Sequence, residues 1–151
     1  MEKGVTLMTN NPEFMTTEHM YLAEEFFYSA CELKQIEWAQ FFLRMVRNQF
    51  PKSVKSIRML AMFHEACGDI EKAQEIYLDM VEQNPDDKQS VKRLVSLFRD
   101  QEMYASAIQI LNKFVETNQD DTEAWTELAD IYLSKQNYSK ALYCYEELLS
   151  I

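Results

Sequence analysis

Glu123-Ala124-Trp125-Thr126-Glu127-Leu128-Ala129-Asp130-Ile131-Tyr132, followed by Tyr138, Ala141 and Tyr145, decides the fold. Trp125, Leu128, Ala129 and Tyr132 are three, four and seven residues apart, the spacing that places side chains on one face of a helix. Ala141 and Tyr145 mark a second helix in the same way. Neither helix can bury its stripe alone, so the two are expected to pack as an antiparallel pair. Ala129 and Ala141 are small enough to let the helix axes approach.

The pattern recurs upstream. Ala39, Ala73, Ala107 and Ala141 fall at intervals of 34 residues. With units starting at Met20, Val54, Lys88 and Thr122, the seventh position reads Phe26, Leu60, Leu94, Leu128, all large and apolar. The eighth reads Phe27, Ala61, Val95, Ala129, and the twenty-fourth Leu43, Tyr77, Leu111, Tyr145. This period and these residue types resemble the tetratricopeptide repeat, one helix–turn–helix per unit, with Ala in place of the motif's Gly. The resemblance implies an all-α tetratricopeptide-repeat solenoid of about four antiparallel helix pairs, coiled into a right-handed superhelix. Phe27 stands where a small residue is expected, so the first unit departs furthest from the pattern.

Residues 1–17 are polar, contain Asn10-Asn11-Pro12 and read as a tail; 18–151 read as the repeat array, with units near 20–53, 54–87, 88–121 and 122–151. Helices are expected near 18–33, 36–49, 53–67, 70–83, 87–100, 104–117, 121–135 and 138–150. Ser53 and Asp120 or Asp121 can cap helix starts. Gly68-Asp69 breaks one hairpin, and Pro85 lacks the donor that another helical turn would need. The last unit carries Leu148, Leu149 and Ile151 without a polar cap, so a partner is expected to cover that end, or the array to be part of a longer one.

Composition narrows the function. Only 2 Gly and 3 Pro are present, fewer than a turn-rich fold needs. A net charge of −10 disfavours nucleic acid, whose phosphates are held mainly by Lys and Arg. Cys31, Cys67 and Cys144 are odd in number and widely spaced, which reads as buried thiols rather than a disulfide framework. With His19 and His64 in separate segments, no metal-ligand spacing appears, and His64 reads as a core histidine. No apolar run is long enough to cross a membrane. There is no Gly-rich phosphate loop, nucleophile elbow or His-Glu-x-x-His, so neither a catalytic residue nor a cofactor is expected.

Between residues 48 and 149 a narrower resemblance appears. It is carried by Asn48-Gln49-Phe50-Pro51-Lys52-Ser53, Val54-Lys55, Glu65-Ala66, Lys92-Arg93, Ala107-Ile108 with Leu111-Asn112, Glu123-Ala124-Trp125 with Glu127-Leu128-Ala129, Tyr138-Ser139-Lys140-Ala141, Cys144 and Glu146-Glu147-Leu148. These residues are similar to the tetratricopeptide subunit family (subunit 2) of the endoplasmic reticulum membrane protein complex. The resemblance implies a non-catalytic scaffold, peripheral on the cytoplasmic face of that membrane. Such a scaffold clamps cytosolic parts of membrane-embedded subunits that insert tail-anchored and multipass proteins. Family members usually continue with more helices.

The first helices of such units line the concave face. Here they offer Lys55, Arg58, Lys92, Arg93 and Arg99 toward the middle and Glu123, Glu127 and Asp130 at the end. The result would be a polarised protein-binding groove whose middle favours acidic segments, or else merely solvated helix faces. Chaperone-docking tetratricopeptide domains clamp a terminal carboxylate with Lys and Asn, and neither register supplies that set. Phe26, Phe27, Tyr28, Trp38, Phe41 and Phe42 crowd the first unit, more aromatic surface than two helices can hide; some read as core, and Phe26, Tyr28, Trp38 and Phe41 are candidates for a partner-facing patch. The second functional reading is a free adaptor that captures short peptide segments of soluble partners.

Overall fold

The computed structural model describes residues 16–151. These form eight helices: α1 Thr17–Glu32, α2 Ile36–Gln49, α3 Val54–Cys67, α4 Ile70–Gln83, α5 Lys88–Asp100, α6 Tyr104–Thr117, α7 Thr122–Ser134 and α8 Tyr138–Ser150. Of the tail read over 1–17, residues 1–15 lie outside the described residues. Thr16 caps α1, its hydroxyl accepting from His19 N and its own N–H donating to His19 Nδ1. The chain divides into two compact units, Met1–Ile76 and Tyr77–Ile151, parted inside α4.

The 34-residue alanines are interior. Ala39, Ala73 and Ala107 are fully buried and Ala141 nearly so. In the second unit Val91, Leu94, Val95 and Phe98 of α5 form one buried stripe, and Trp125, Leu128, Ala129 and Tyr132 of α7 form another. In the first unit Ala23, Phe27 and Ala30 of α1 bury with Ala39, Phe42, Leu43 and Val46 of α2. Phe27 thus fills the place where the pattern wants a small residue, and the neighbouring alanines leave room for it.

One conformational device recurs in every hairpin. The fifteenth residue of each repeat has positive φ: Lys34 at 56°, Gly68 at 83°, Glu102 at 59° and Gln136 at 58°. The next residue's N–H then reaches back to the eleventh carbonyl, as in Gly68-Asp69, where Asp69 N donates to His64 O at 2.9 Å. Met103 N to Phe98 O and Asn137 N to Tyr132 O repeat the bond. Such left-handed caps close the last helical turn and send the chain into the partner helix.

The third repeat position was not read as interior, yet Ser56 and Ser90 are fully buried and Ala124 is buried. Ser56 Oγ donates to Phe50 O at 2.6 Å and Ser90 Oγ to the Asp87 carboxylate at 2.6 Å. A small side chain fits under the turn between repeats, and each hydroxyl finds an acceptor there. Of the three thiols, Cys31 and Cys144 are buried. Cys67, expected inside, is exposed, because it ends α3 beside the Gly68 turn. His64 is half-buried, with Nδ1 3.8 Å from the Asp69 carboxylate.

Candidate protein-binding surfaces

In the second unit, α5 and α7 are first helices of successive repeats. Ridge positions one repeat apart therefore face each other. Lys88 Nζ lies 2.7 Å from Asp121 Oδ2 and 3.5 Å from Glu123 Oε2, Lys92 pairs with Glu123, and Arg99 Nη1 donates to Glu127 Oε1 at 3.1 Å. The cations and carboxylates that the sequence separates along the chain are thus adjacent in space and largely satisfy one another. Asp121 also accepts the Ala124 N–H as the α7 cap. Partial burial works against its ionisation, but the Lys88 ammonium and that N–H outweigh it and hold the carboxyl below its ordinary range. Asp130 is exposed beside this row, where Arg99, Glu127 and Asp130 border a shallow cleft of about 290 Å³.

In the first unit, Lys55 reaches back to Glu24 of α1 at 2.9 Å, and its pKa is raised chiefly by that hydrogen bond. Arg58 is half-buried on the same helix, one turn further on. Arg93 is exposed on α5 in the second unit. The structure therefore brings Lys92, Arg99, Glu123 and Glu127 into one ion-pair row. It places Lys55 in a separate pair with a glutamate not singled out beforehand. Glu24 lies one repeat before Arg58, and the recurrence of opposite charges near the 34-residue interval is the signal that could have revealed such pairing.

Phe26, Tyr28, Trp38 and Phe41 are all half-buried and packed on the α1–α2 core. Phe26 stacks on Phe42 at 5.4 Å between ring centroids, and Trp38 stacks on Phe42 at 6.2 Å. Phe41 meets Trp38 and Phe42 edge-on. Each ring is thus held partly by the core while keeping some exposed area. Burial raises the Tyr28 hydroxyl pKa, with Glu24 reinforcing it.

A surface that the sequence reading described only as an uncapped end is more apolar. Tyr138, Leu142, Tyr145 and Leu149 follow helical spacing along α8 and are all exposed, Leu149 to 88%. The equivalent residues of the preceding repeat are Tyr104, Ile108, Leu111 and Val115; the last two are buried and the first two half-buried. The difference is that α7 packs against α6, the helix that carries them.

Residues 36–151 match the family described as the EMC2 TPR-like repeat domain. The chain belongs to that family. Among curated proteins, none matches the chain in sequence. Solved structures share the fold. A tetratricopeptide repeat protein from Parabacteroides merdae is 18% identical with a TM-score of 0.71, covering 99% of this chain and 57% of its own. MamA 41-end from Desulfovibrio magneticus is 14% identical with a TM-score of 0.64, covering 91% and 77%. Another MamA structure is 19% identical with a TM-score of 0.64, covering 90% and 74%. Identities this low speak for the fold alone. The chain is an all-α tetratricopeptide-repeat protein, of a class that serves as protein-interaction scaffolds. Among the described residues no helix is long and apolar enough to cross a membrane.

Proposed function

We propose that this member of the EMC2 TPR-like family is a non-catalytic scaffold subunit of the endoplasmic reticulum membrane protein complex. In this reading it sits peripherally on the cytoplasmic face and holds cytosolic parts of membrane-embedded subunits, so supporting insertion of tail-anchored and multipass proteins. The family match over residues 36–151 carries the reading. Two features agree with it. The α5–α7 cations are engaged within the unit, which leaves little free charge to capture an acidic peptide end, as a free adaptor would. The α8 stripe is apolar over a full helix face, suited to a permanent neighbour rather than to brief encounters.

The covering of that stripe is part of the proposal. The preceding repeat shows what fits there: an amphipathic helix bearing large and small apolar residues at the spacing of Trp125, Leu128, Ala129 and Tyr132. Either a partner subunit or a further repeat of a longer array is proposed to supply it. Affinity purification in mild detergent followed by mass spectrometry tests the reading. Multispanning membrane proteins should be recovered at near-equal amounts; recovery of soluble chaperones alone would overturn it in favour of the adaptor.

A further inference from the structure

The second helix of the first repeat breaks the pattern at one inward position. Where Val81 and Val115 are buried in the next two repeats, α2 carries Arg47. Its Nε–H is shut off from solvent and meets no acceptor among the described residues. A buried donor without a partner is costly, more so on a cation, and so sets Arg47 apart from the other cations of the chain.

Arg47 lines a cleft of about 400 Å³ between α2 and α3, inside the first unit. Gln40, Arg44 and Arg47 recur at helical spacing along one wall, with Asn48 beside them, and His64 stands on the other. Among the described residues no carboxylate lines the cleft, although the chain as a whole carries a net charge of −10. Leu60 and Phe63 add an apolar wall. Two guanidinium groups offer rigid N–H forks that match a planar carboxylate. A free phosphate would use the forks and leave the apolar wall wet.

We propose that this cleft receives an aspartate or glutamate side chain of a partner protein, paired with Arg47 and flanked by Arg44, while an adjacent apolar side chain rests on Leu60 and Phe63. This rests on the scaffold reading above and names a contact within it that the ion-paired α5–α7 row cannot make.

The test begins with display selection of random heptapeptides on the full chain, with counter-selection on Arg47→Val. That variant restores the residue type found at the same position in the next two repeats, so it should fold. Enriched peptides should contain Asp or Glu beside an apolar residue. The synthetic peptides should shift the Arg47 Nε–H resonance and lose affinity about ten- to a hundredfold on Glu-to-Gln replacement or against Arg47→Val. Enrichment of no peptide that needs Arg47, or equal binding of Glu and Gln versions, would overturn the proposal. So would inorganic phosphate giving the same shift at the same concentration, which would mark a free-anion site. Membrane subunits still co-purifying with Arg47→Val in those cases would leave the scaffold reading standing.

Discussion

Arg99 and Glu127 join the first helices of adjacent repeats through a hydrogen-bonded ion pair of 3.1 Å. Residues in separate repeats can meet in this way because first helices of successive units lie side by side. Both side chains are partly exposed, so the pair is screened. A double-mutant cycle with Arg99→Ala and Glu127→Ala is expected to give a coupling of about 0.5 kcal/mol at low salt, fading toward zero in about 1 M salt. The charge-swapped double variant should recover most of the loss in urea unfolding.

The left-handed hairpin residues offer a cleaner gain. Lys34, Glu102 and Gln136 hold positive φ with a side chain that resists it, while Gly68 does so freely. Glu102→Gly and Gln136→Gly are each expected to stabilise the fold by about 0.5–1 kcal/mol, and Gly68→Ala to destabilise it by about 1 kcal/mol. Added Cβ contacts play no part at Gly68, since nothing lies within 4 Å of that position. Thermal melts of the three variants check the sign.

Close approach of the paired helices depends on the alanines. Ala107→Leu and Ala141→Leu are each expected to cost about 1–3 kcal/mol by overpacking, read as a lowered urea midpoint. A melting temperature unchanged for both would contradict the register.

Asp121 gives the fold a dependence on acid. Its carboxyl titrates lower in the folded chain than its ordinary 3.8, so the folded state prefers the charged form. The stability this contributes is complete above the unfolded pKa and is lost as pH falls through the lower folded one. Asp121→Ala should cost about 1–2 kcal/mol at neutral pH, whereas Asp121→Asn, still able to cap α7, should cost less. The difference between wild type and Asp121→Asn should shrink as pH falls below about 4, measured by urea unfolding across pH.

Much of this architecture could be read from residue spacing, because a stacked repeat writes its packing into the chain at a fixed interval. Ala73 and Ala107 marked the close approaches, and every helix end falls within one or two residues of its expected place. Ser56 and Ser90 escaped notice because a hydroxyl does not announce burial; its acceptor, a turn carbonyl or a cap carboxylate, appears only once the turn is built. The row of Lys92, Arg99, Glu123 and Glu127 was named residue by residue, but its internal pairing depends on which helix faces lie together. Arg47 carries no signal in the sequence, since composition cannot show that its Nε–H meets no acceptor among the described residues.

The most direct test is a photo-crosslinking residue placed at Leu142, within the exposed α8 stripe, in the 151-residue chain expressed in cells and recovered from membranes in mild detergent. The scaffold account predicts a crosslink to a subunit of the membrane protein complex from Leu142, and none from the same probe at the exposed, charged Glu116 of α6. Crosslinks only to soluble chaperones, or the same products from both positions, would contradict it.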